Sequence, residues 1–250
     1  MRTTKLFLLF TVMLGYACEK EESKVPGLFL KQIIFHKDVD EIAQYTYSND
    51  GKLIRYEYIK DGVSTDKEEF LYVHGQLDSS SFYLRALSTQ PFSIWLKRSY
   101  VMDESDRIIS FFEYETEYYT ERFFDFYYRN DQLDSIVYKY YDHVFSSSGE
   151  CSYKVIFDMN GNIVNTICTD YTYGTREYKY DNKKNPLKSL TSPENFATYF
   201  STSNVTKDAT STYTYEYNEN DLPVSCIKKF AQHAWEDSVV TEMEYVYSEL

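Results

Sequence analysis

The chain has 250 residues, 43% of them apolar, with 27 tyrosines, 39 acidic and 26 basic side chains and a formal net charge of −13. So acidic a chain lacks the clustered lysine and arginine that nucleic-acid phosphates require, and we expect no nucleic-acid partner. The length suits one all-β domain, because β-sandwiches and barrels often run undivided to about 200–250 residues.

The first residues predict a secretion leader that is not part of the fold. Met1–Lys5 is basic, and the apolar run 6–14 is too short to span a bilayer but has the length of a signal-peptide core. Residues 14–18, Leu-Gly-Tyr-Ala-Cys, resemble a bacterial lipobox, with the usual Leu one place further from the Cys. We predict a signal peptide over residues 1–17 and lipidation of Cys18; the alternative is an ordinary secretory leader with a chance cysteine.

An acidic segment, Glu19–Ser23, follows the cysteine at once. It resembles the surface-export signal of Bacteroidota-type lipoproteins, and we interpret residues 18–27 as an acidic tether. Without residues 1–17 the chain keeps 24 basic and 39 acidic side chains, a net charge of −15, which disfavours an electrostatic grip on anionic lipid. More than one acyl chain anchors stably, at about 0.8 kcal/mol per buried methylene. We therefore predict an outer-membrane, cell-surface location, with membrane contact through the lipid alone.

From residue 28 onward one pattern recurs about eight times: an aromatic strand, a short Asn/Asp/Gly turn, and then Leu or Ile. The copies are Tyr45–Leu53, Phe70–Leu77, Tyr100–Ile108, Phe126–Leu133, Tyr153–Ile163, Tyr178–Leu187, Tyr213–Leu222 and the half-copy Met243–Tyr247. Alternation with a period of two indicates half-buried strands, and Asn and Gly tolerate the positive φ of tight turns. Repeated units bury their apolar faces on their neighbours.

These repeats predict an all-β fold: a long antiparallel meander of repeated hairpins, with Leu28–His36 as an extra leading strand. About 15 strands in one sheet must curl or close, because twist accumulates and open edges invite aggregation. We expect residues 28–250 to form a single domain, an open or closed barrel-like sheet.

Turn chemistry predicts which residues pair across the hairpins. A type I turn with Gly161 as its bulge residue pairs Phe157 with Ile163, and the first turn likewise pairs Tyr47 with Leu53. These aromatic–aliphatic pairs are expected to form one core face. The outgoing strands carry a second apolar set, which lies on the opposite face if no further bulge intervenes. That set comprises Tyr56, Tyr58, Phe82, Leu84, Phe111, Ile136, Tyr138 and Tyr140.

Two of the three remaining cysteines, Cys151 and Cys168, flank the turn that contains Gly161. If the register at that turn continues along both strands, the two cysteines lie on opposite faces of the sheet. We therefore favour three buried free thiols, including Cys226, over a Cys151–Cys168 disulfide.

One insertion, residues 190–200, interrupts the repeat. Ser192 is placed to cap a helix that has Pro193 at its first position, and three aromatic residues follow on one side. We predict a short helix over residues 193–200 that closes an open end of the barrel.

The repeated Tyr-x-Tyr units, followed by Asn/Asp, Gly and Leu, resemble YD repeats. Tyr180–Leu187 followed by Ser203–Thr206 resembles a landmark of Bacteroidota surface lipoproteins of unknown function that are described as having a porin-like β fold. The resemblance covers residues 28–250. It implies a curved antiparallel meander on the cell surface, and it supplies no catalytic residues.

Catalytic and metal-binding motifs are absent from the sequence. The four histidines stand far apart without a partner at metal-ligand spacing, and no Gly-x-Ser-x-Gly motif or phosphate-binding glycine loop occurs. We predict a protein that is not an enzyme, with no catalytic residues, no cofactor and no metal. The acids of a glycosidase come from distant segments, so a glycan-active hydrolase stays open as an alternative.

The aromatic side chains are the remaining chemical resource, because exposed rings stack on sugars and anchor protein contacts. We predict a surface binding scaffold with a glycan as the first candidate ligand. The alternative is an envelope structural or assembly component whose partner is an outer-membrane protein. The candidate ligand-binding residues are Tyr56, Tyr58, Trp95, Tyr138, Tyr140 and Trp235.

The lipid anchor can be tested directly with Cys18→Ala. We expect the variant to accumulate as an uncleaved or soluble precursor that takes up no labelled palmitate, because its only predicted acylation site is gone. The wild type, processed in parallel, should incorporate the label. Palmitate in the variant, or none in the wild type, would contradict the prediction.

Overall fold

The computed structural model describes residues 28–36, 41–85, 89–169, 174–190, 193, 195–230 and 240–249. These residues form seventeen strands and one short helix, which confirms the all-β prediction. The elements are β1 Phe29–His36, β2 Glu41–Tyr47, β3 Leu53–Lys60, β4 Val63–Val73, β5 Gln76–Leu84, β6 Ser93–Met102, β7 Ile108–Glu115, β8 Thr120–Arg129, β9 Gln132–Asp142, β10 Ser147–Phe157, β11 Ile163–Cys168, β12 Thr175–Glu177, β13 Lys179–Lys184, α1 Phe196–Phe200, β14 Ser203–Lys207, β15 Ser211–Tyr217, β16 Pro223–Phe230 and β17 Val240–Ser248.

The strands form one antiparallel barrel-like sheet. β1 to β12 pair in chain order, as do β13 to β17, and β1 also pairs with β17. Within the described ranges no backbone pairing joins β12 to β13, so the barrel is nearly closed. The sequence predicted about fifteen strands; the short strands β12 and β14 were not anticipated.

Side chains bridge the gap between β11 and the segment that leads into β14. The side-chain oxygen of Asn162 accepts hydrogen bonds from Thr202 Oγ1 at 3.0 Å and from Ser203 N at 2.8 Å. Ile163 N donates to Ser201 Oγ at 3.0 Å. Asn162 and Ser201 are fully buried, so these bonds replace the ladder that is missing here.

The repeat turns all lie at one end of the barrel, which we call the turn end. Four of them are type I turns with a bulge, at residues 48–52, 103–107, 158–162 and 218–222. In the third, Asp158 N donates to Asn162 O at 2.9 Å, and Gly161 has a φ of +80°, as the sequence predicted. The tight turn at Asn130 and Asp131 has positive φ at both positions, the arrangement of a type I′ hairpin.

A bulge follows the repeat turn in six hairpins and corrects the predicted face assignment. In β3, Leu53 pairs with Tyr47 as predicted, but Arg55 pairs with Thr46, so Ile54 is left unpaired. The same one-residue shift occurs in β5, β7, β9, β11 and β16. A single extra residue exchanges the two faces of a strand. The prediction that the second apolar set lies on the opposite face is therefore wrong: the two sets share the buried inner face.

Burial confirms this shift. The position three residues after each post-turn core residue is buried in five of the six hairpins and half-buried in the sixth. These positions are Tyr56, Ser80, Phe111, Ile136, Thr166 and Cys226, of which Tyr56 is the half-buried one.

Tyrosine hydroxyls satisfy backbone carbonyls at the bulges. A bulge disrupts the hydrogen-bond ladder, and the tyrosine that precedes the next turn donates to the carbonyl of the core residue beside the bulge. The distances are 2.7–3.0 Å. The donor–acceptor pairs are Tyr47–Leu30, Tyr72–Leu53, Tyr128–Ile108, Tyr180–Ile163 and Tyr247–Pro223. Tyrosine is therefore needed at these positions for its hydroxyl as well as its ring.

The cysteine prediction is wrong for the same reason. Beyond the bulge of β11, Cys168 pairs with Tyr153, so Cys151 is its diagonal neighbour on one face. The two cysteines form a disulfide, with their Cα atoms 6.4 Å apart. Cys226 remains a free buried thiol, as predicted, and burial raises its pKa to about 11.

The predicted helix exists but is shorter. α1 begins after Asn195, which makes no side-chain cap, and not at Pro193; Ser192 lies outside the described residues. Its rings pack on the inner face: Phe196 lies 6.3 Å from Phe124 and Phe200 lies 5.6 Å from Phe126 between ring centroids. The insertion thus fills part of the barrel interior.

Tyr128→Phe tests the tyrosine–carbonyl bonds. The change removes the hydroxyl that donates to Ile108 O and keeps the ring, so we expect the free energy of unfolding to fall by about 1 kcal/mol. Urea denaturation measures it. The control is Tyr127→Phe, on a side chain that is 52% exposed, and it should change stability by less than about 0.5 kcal/mol. Equal losses in both variants would contradict the assignment.

The disulfide closes a loop with a sequence separation of 17. Replacing both Cys151 and Cys168 with alanine should lower the free energy of unfolding by about 3 kcal/mol, because the unfolded chain gains loop freedom. Thiol titration of the denatured protein starting at residue 24 gives an independent check. It should count one thiol, from Cys226; a count of three would show that the bond is absent.

Candidate functional site

The inner face of the barrel is apolar near the turn end. Two buried clusters lie on different walls, one on β6 to β11 and one on β1 to β3, β16 and β17. The first contains Tyr100, Ile108, Phe111, Phe124, Phe126, Leu133, Ile136, Val155 and Ile163. The second contains Leu30, Ile33, Ala43, Tyr45, Leu53, Cys226 and Tyr245.

A cavity of about 620 Å³ lies beside the second cluster, and we call it the tyrosine cavity. Rings from β2, β3, β15 and β17 form one side, and another is formed by Leu187 together with Ala197 and Thr198 from the insertion. The wall tyrosines are Tyr45, Tyr56, Tyr58, Tyr178, Tyr213, Tyr215 and Tyr245. The volume lies within the range of small-molecule sites, which is about 300–1,000 Å³.

The phenols of this cavity are neutral hydrogen-bonding groups. Burial raises the pKa of Tyr56 to about 12, and burial and Asp208 raise the pKa of Tyr213 further. Tyr58 donates a short hydrogen bond to Glu41, which also pairs with Lys60 at 3.1 Å. The cavity wall therefore combines ring faces with hydroxyl groups, and its tyrosines stay uncharged at neutral pH.

The charged side chains that line the cavity among the described residues are Asp208 and Lys228. Asp208 accepts from Tyr213 OH at 2.8 Å and from the backbone N–H groups of Thr210 and Ser211, each at 2.7 Å. The Lys228 ammonium lies 4.3 Å from the Phe230 ring centroid and 5.4 Å from that of Tyr213.

The inner face of β4, β6, β7 and β8 carries a buried ionic network. Arg98 donates to Glu68 at 2.7 Å and to Glu113 at 2.8 Å. Arg122 donates a short bond to Glu113 and a 2.9 Å bond to Glu115. The sequence analysis missed this network because it did not include the bulge in β7. Without the bulge, Phe111 and the residues that alternate with it were assigned to the wrong face.

A second cavity, of about 550 Å³, opens between the turns and the insertion at the turn end. Tyr128, Phe157, Tyr199 and Phe200 are its aromatic lining residues. The Arg107 guanidinium lies 4.7 Å from the centroid of the Tyr128 ring.

The structure separates the sequence-predicted ligand residues into different places. Tyr56 and Tyr58 line the tyrosine cavity, whereas Tyr138 and Tyr140 stack on each other, 6.1 Å between centroids, in β9. Trp95 contacts Tyr118 edge to face at 5.7 Å. Trp235 and Cys18 lie outside the described residues.

The described residues contain no group of three or more His, Cys, Asp or Glu side chains that could hold a metal ion. None of their helices has the length and apolar character needed to cross a membrane.

Comparisons with known proteins agree with this architecture. No family model and no curated protein sequence matches the chain. A porin-like protein from Bacteroides uniformis ATCC 8492 superimposes with a TM-score of 0.55 at 11% identity, over 88% of this chain and 96% of that chain. A porin-like protein from Bacteroides vulgatus ATCC 8482 gives a TM-score of 0.45 at 12% identity, over 90% of this chain and 100% of that chain.

A chain of the TcdB2–TccC3–Cdc42 complex gives a TM-score of 0.34 at 14% identity, over 82% of this chain and 10% of that chain. TM-scores of 0.45 and 0.34 do not establish a common fold. The match to the Bacteroides uniformis protein establishes that the chain shares the β fold of a porin-like protein.

Proposed function

We propose that the chain is a non-enzymatic, lipid-anchored protein of the outer-membrane surface that binds a small ligand in the tyrosine cavity, with a glycan as the first candidate. The observation that carries the proposal is a 620 Å³ cavity walled by tyrosine rings from both ends of the chain. The anchor and the location rest on the sequence pattern around Cys18.

The cavity wall fits the chemistry of sugars. A sugar ring has apolar C–H faces that stack on aromatic rings and hydroxyl groups that need hydrogen-bond partners. The tyrosines offer both, and Tyr56 and Tyr58 are among the residues that the sequence singled out. Asn195 and Thr198 from the insertion and Asn185, which follows β13, also line the cavity and add polar groups.

The ionic network supports a role without catalysis. A glycosidase needs one carboxyl group as acid and a second as base or nucleophile. The buried carboxylates Glu68, Glu113 and Glu115 are instead each bonded to Arg98 or Arg122, and none of these residues lines the tyrosine cavity. The side-chain oxygens that a glycosidase would need are thus engaged by arginine and lie away from the cavity.

We also propose that the hairpins are YD-type repeats. Support comes from the recurring Tyr-x-Tyr strand, the Asn/Asp/Gly turn and the following Leu or Ile. The tyrosine–carbonyl bonds give the second tyrosine of the unit a physical role.

The proposal can be tested on the protein that starts at residue 24. A glycan library is screened for binding, and calorimetry then measures the affinity of each glycan that binds. Tyr213→Leu should weaken binding about five- to tenfold, which corresponds to about 1–1.4 kcal/mol, because one ring face is lost. The matched control is Tyr127→Leu, on an exposed ring outside the cavity, which should bind like the wild type.

Other outcomes would point elsewhere. Co-isolation of an outer-membrane protein without any sugar binding would favour the assembly role. Release of reducing ends from a bound glycan would favour the hydrolase.

A further inference from the structure

Lys228 is a half-buried cation that has no counter-ion among the described residues. In the described part of the chain no carboxylate lies within ion-pair distance of its ammonium, which is held over the rings of Tyr213 and Phe230. Removing a charge from water is costly, and ring faces compensate only part of that cost. The ammonium is therefore suited to receive an anion.

The nearby Asp208 carboxylate does not form an ion pair with Lys228. Asp208 is the other charged lining residue, and its carboxylate already accepts four hydrogen bonds from Thr210, Ser211 and Tyr213. The tyrosines of the wall are neutral, since burial raises the pKa of Tyr56 to about 12 and that of Tyr213 also upward. Asp208 and Lys228 carry opposite charges. Among the described residues, the one of the two left without a hydrogen-bond partner is the Lys228 ammonium.

The backbone register aims Lys228 into the barrel. Cys226, two residues earlier, is buried in the inner face, and Phe230, two residues later, lines the same cavity. Since strand side chains alternate, Lys229 points to the other face, and it is exposed. Lys228 and Lys229 therefore have the same chemistry on opposite faces of β16, and Lys229 serves as the control position.

We infer that the ligand of the tyrosine cavity is an acidic saccharide, with its carboxylate on the Lys228 ammonium and its ring against the tyrosines. This inference rests on the proposed glycan function and narrows its ligand class. Because the chain as a whole is acidic, its long-range field disfavours an anion. Selectivity for the acidic sugar must therefore come from the short-range contact with Lys228.

Calorimetric titration at 150 mM salt tests the inference on the protein that starts at residue 24. The probes are uronic-acid oligosaccharides of two to four sugars, each matched to its neutral hexose counterpart. We expect at least one acidic probe to bind about tenfold or more tightly than its counterpart. Lys228→Met should abolish that preference, so that the acidic and the neutral probe of each pair bind with equal affinity. Lys228→Arg and Lys229→Met should both retain the preference.

Different binding results would contradict the acidic-saccharide ligand and the proposed glycan function. Wild-type binding of neutral probes with no preference for acidic ones overturns the inference and leaves the glycan proposal standing. A preference that survives Lys228→Met also overturns it. Failure of the wild type to bind any probe overturns both. The melting temperature of Lys228→Met reports whether the variant folds. If it does not fold, the wild-type comparison of acidic with neutral probes still tests the inference.

Discussion

The one-residue bulge that follows the repeat turns controls the direction of the side chains in this barrel. In six hairpins the strand leaves the turn with a core Leu, Ile or Pro, passes two residues on the outer side, and returns inward at the third. Without the extra residue, Phe111 and Ile136 would face outward. Because of it, both aromatic sets share the interior, and the core, the ionic network and the tyrosine cavity all lie there.

The bulge also accounts for much of the unusual tyrosine content. Each bulge weakens the ladder beside a buried carbonyl, and a buried acceptor without a donor costs about 1–3 kcal/mol. A tyrosine from the neighbouring hairpin fills space with its ring and supplies the missing donor with its hydroxyl. Met102 and Phe157 occupy the equivalent place in two hairpins, where this bond is not made. The repeat therefore couples neighbouring units through side-chain-to-backbone bonds as well as through packing.

The sequence predicted the class, the meander, the bulged turn at Gly161 and the pairs Tyr47–Leu53 and Phe157–Ile163, because these depend on local composition and period. It did not predict the bulges, because the residues that the bulges leave unpaired have no common residue type that would mark them. Examples are Ile54, Asp78 and Val164. A spacing of three between Ile108 and Phe111, or between Leu133 and Ile136, was an available indication. The face assignment and the disulfide both failed on this single omission.

The candidate site was predictable only in part. The sequence analysis named Tyr56 and Tyr58 as ligand-binding candidates but assigned them to the wrong face of the sheet; both line the cavity. It did not name Lys228, Asp208 or the insertion as part of the site, because they come from distant segments of the chain. The ionic network likewise joins residues 7 to 30 positions apart in the chain. Barrel closure brings the cavity residues together, whereas the network follows from the pairing of neighbouring strands, in which Glu113 lies opposite both Arg98 and Arg122.

The pairing of β1 with β17 has a consequence for how the chain reaches this state. Most strand contacts of the meander are between consecutive hairpin partners, which favours rapid formation, because such contacts have low sequence separation. Closure of the barrel is the exception: it pairs Ile33 with Tyr245, at opposite ends of the described chain. During synthesis the meander must therefore wait, with β1 unpaired on one edge, until the last strand has emerged. A chaperone that shields this edge would act before closure and would have no binding surface afterwards.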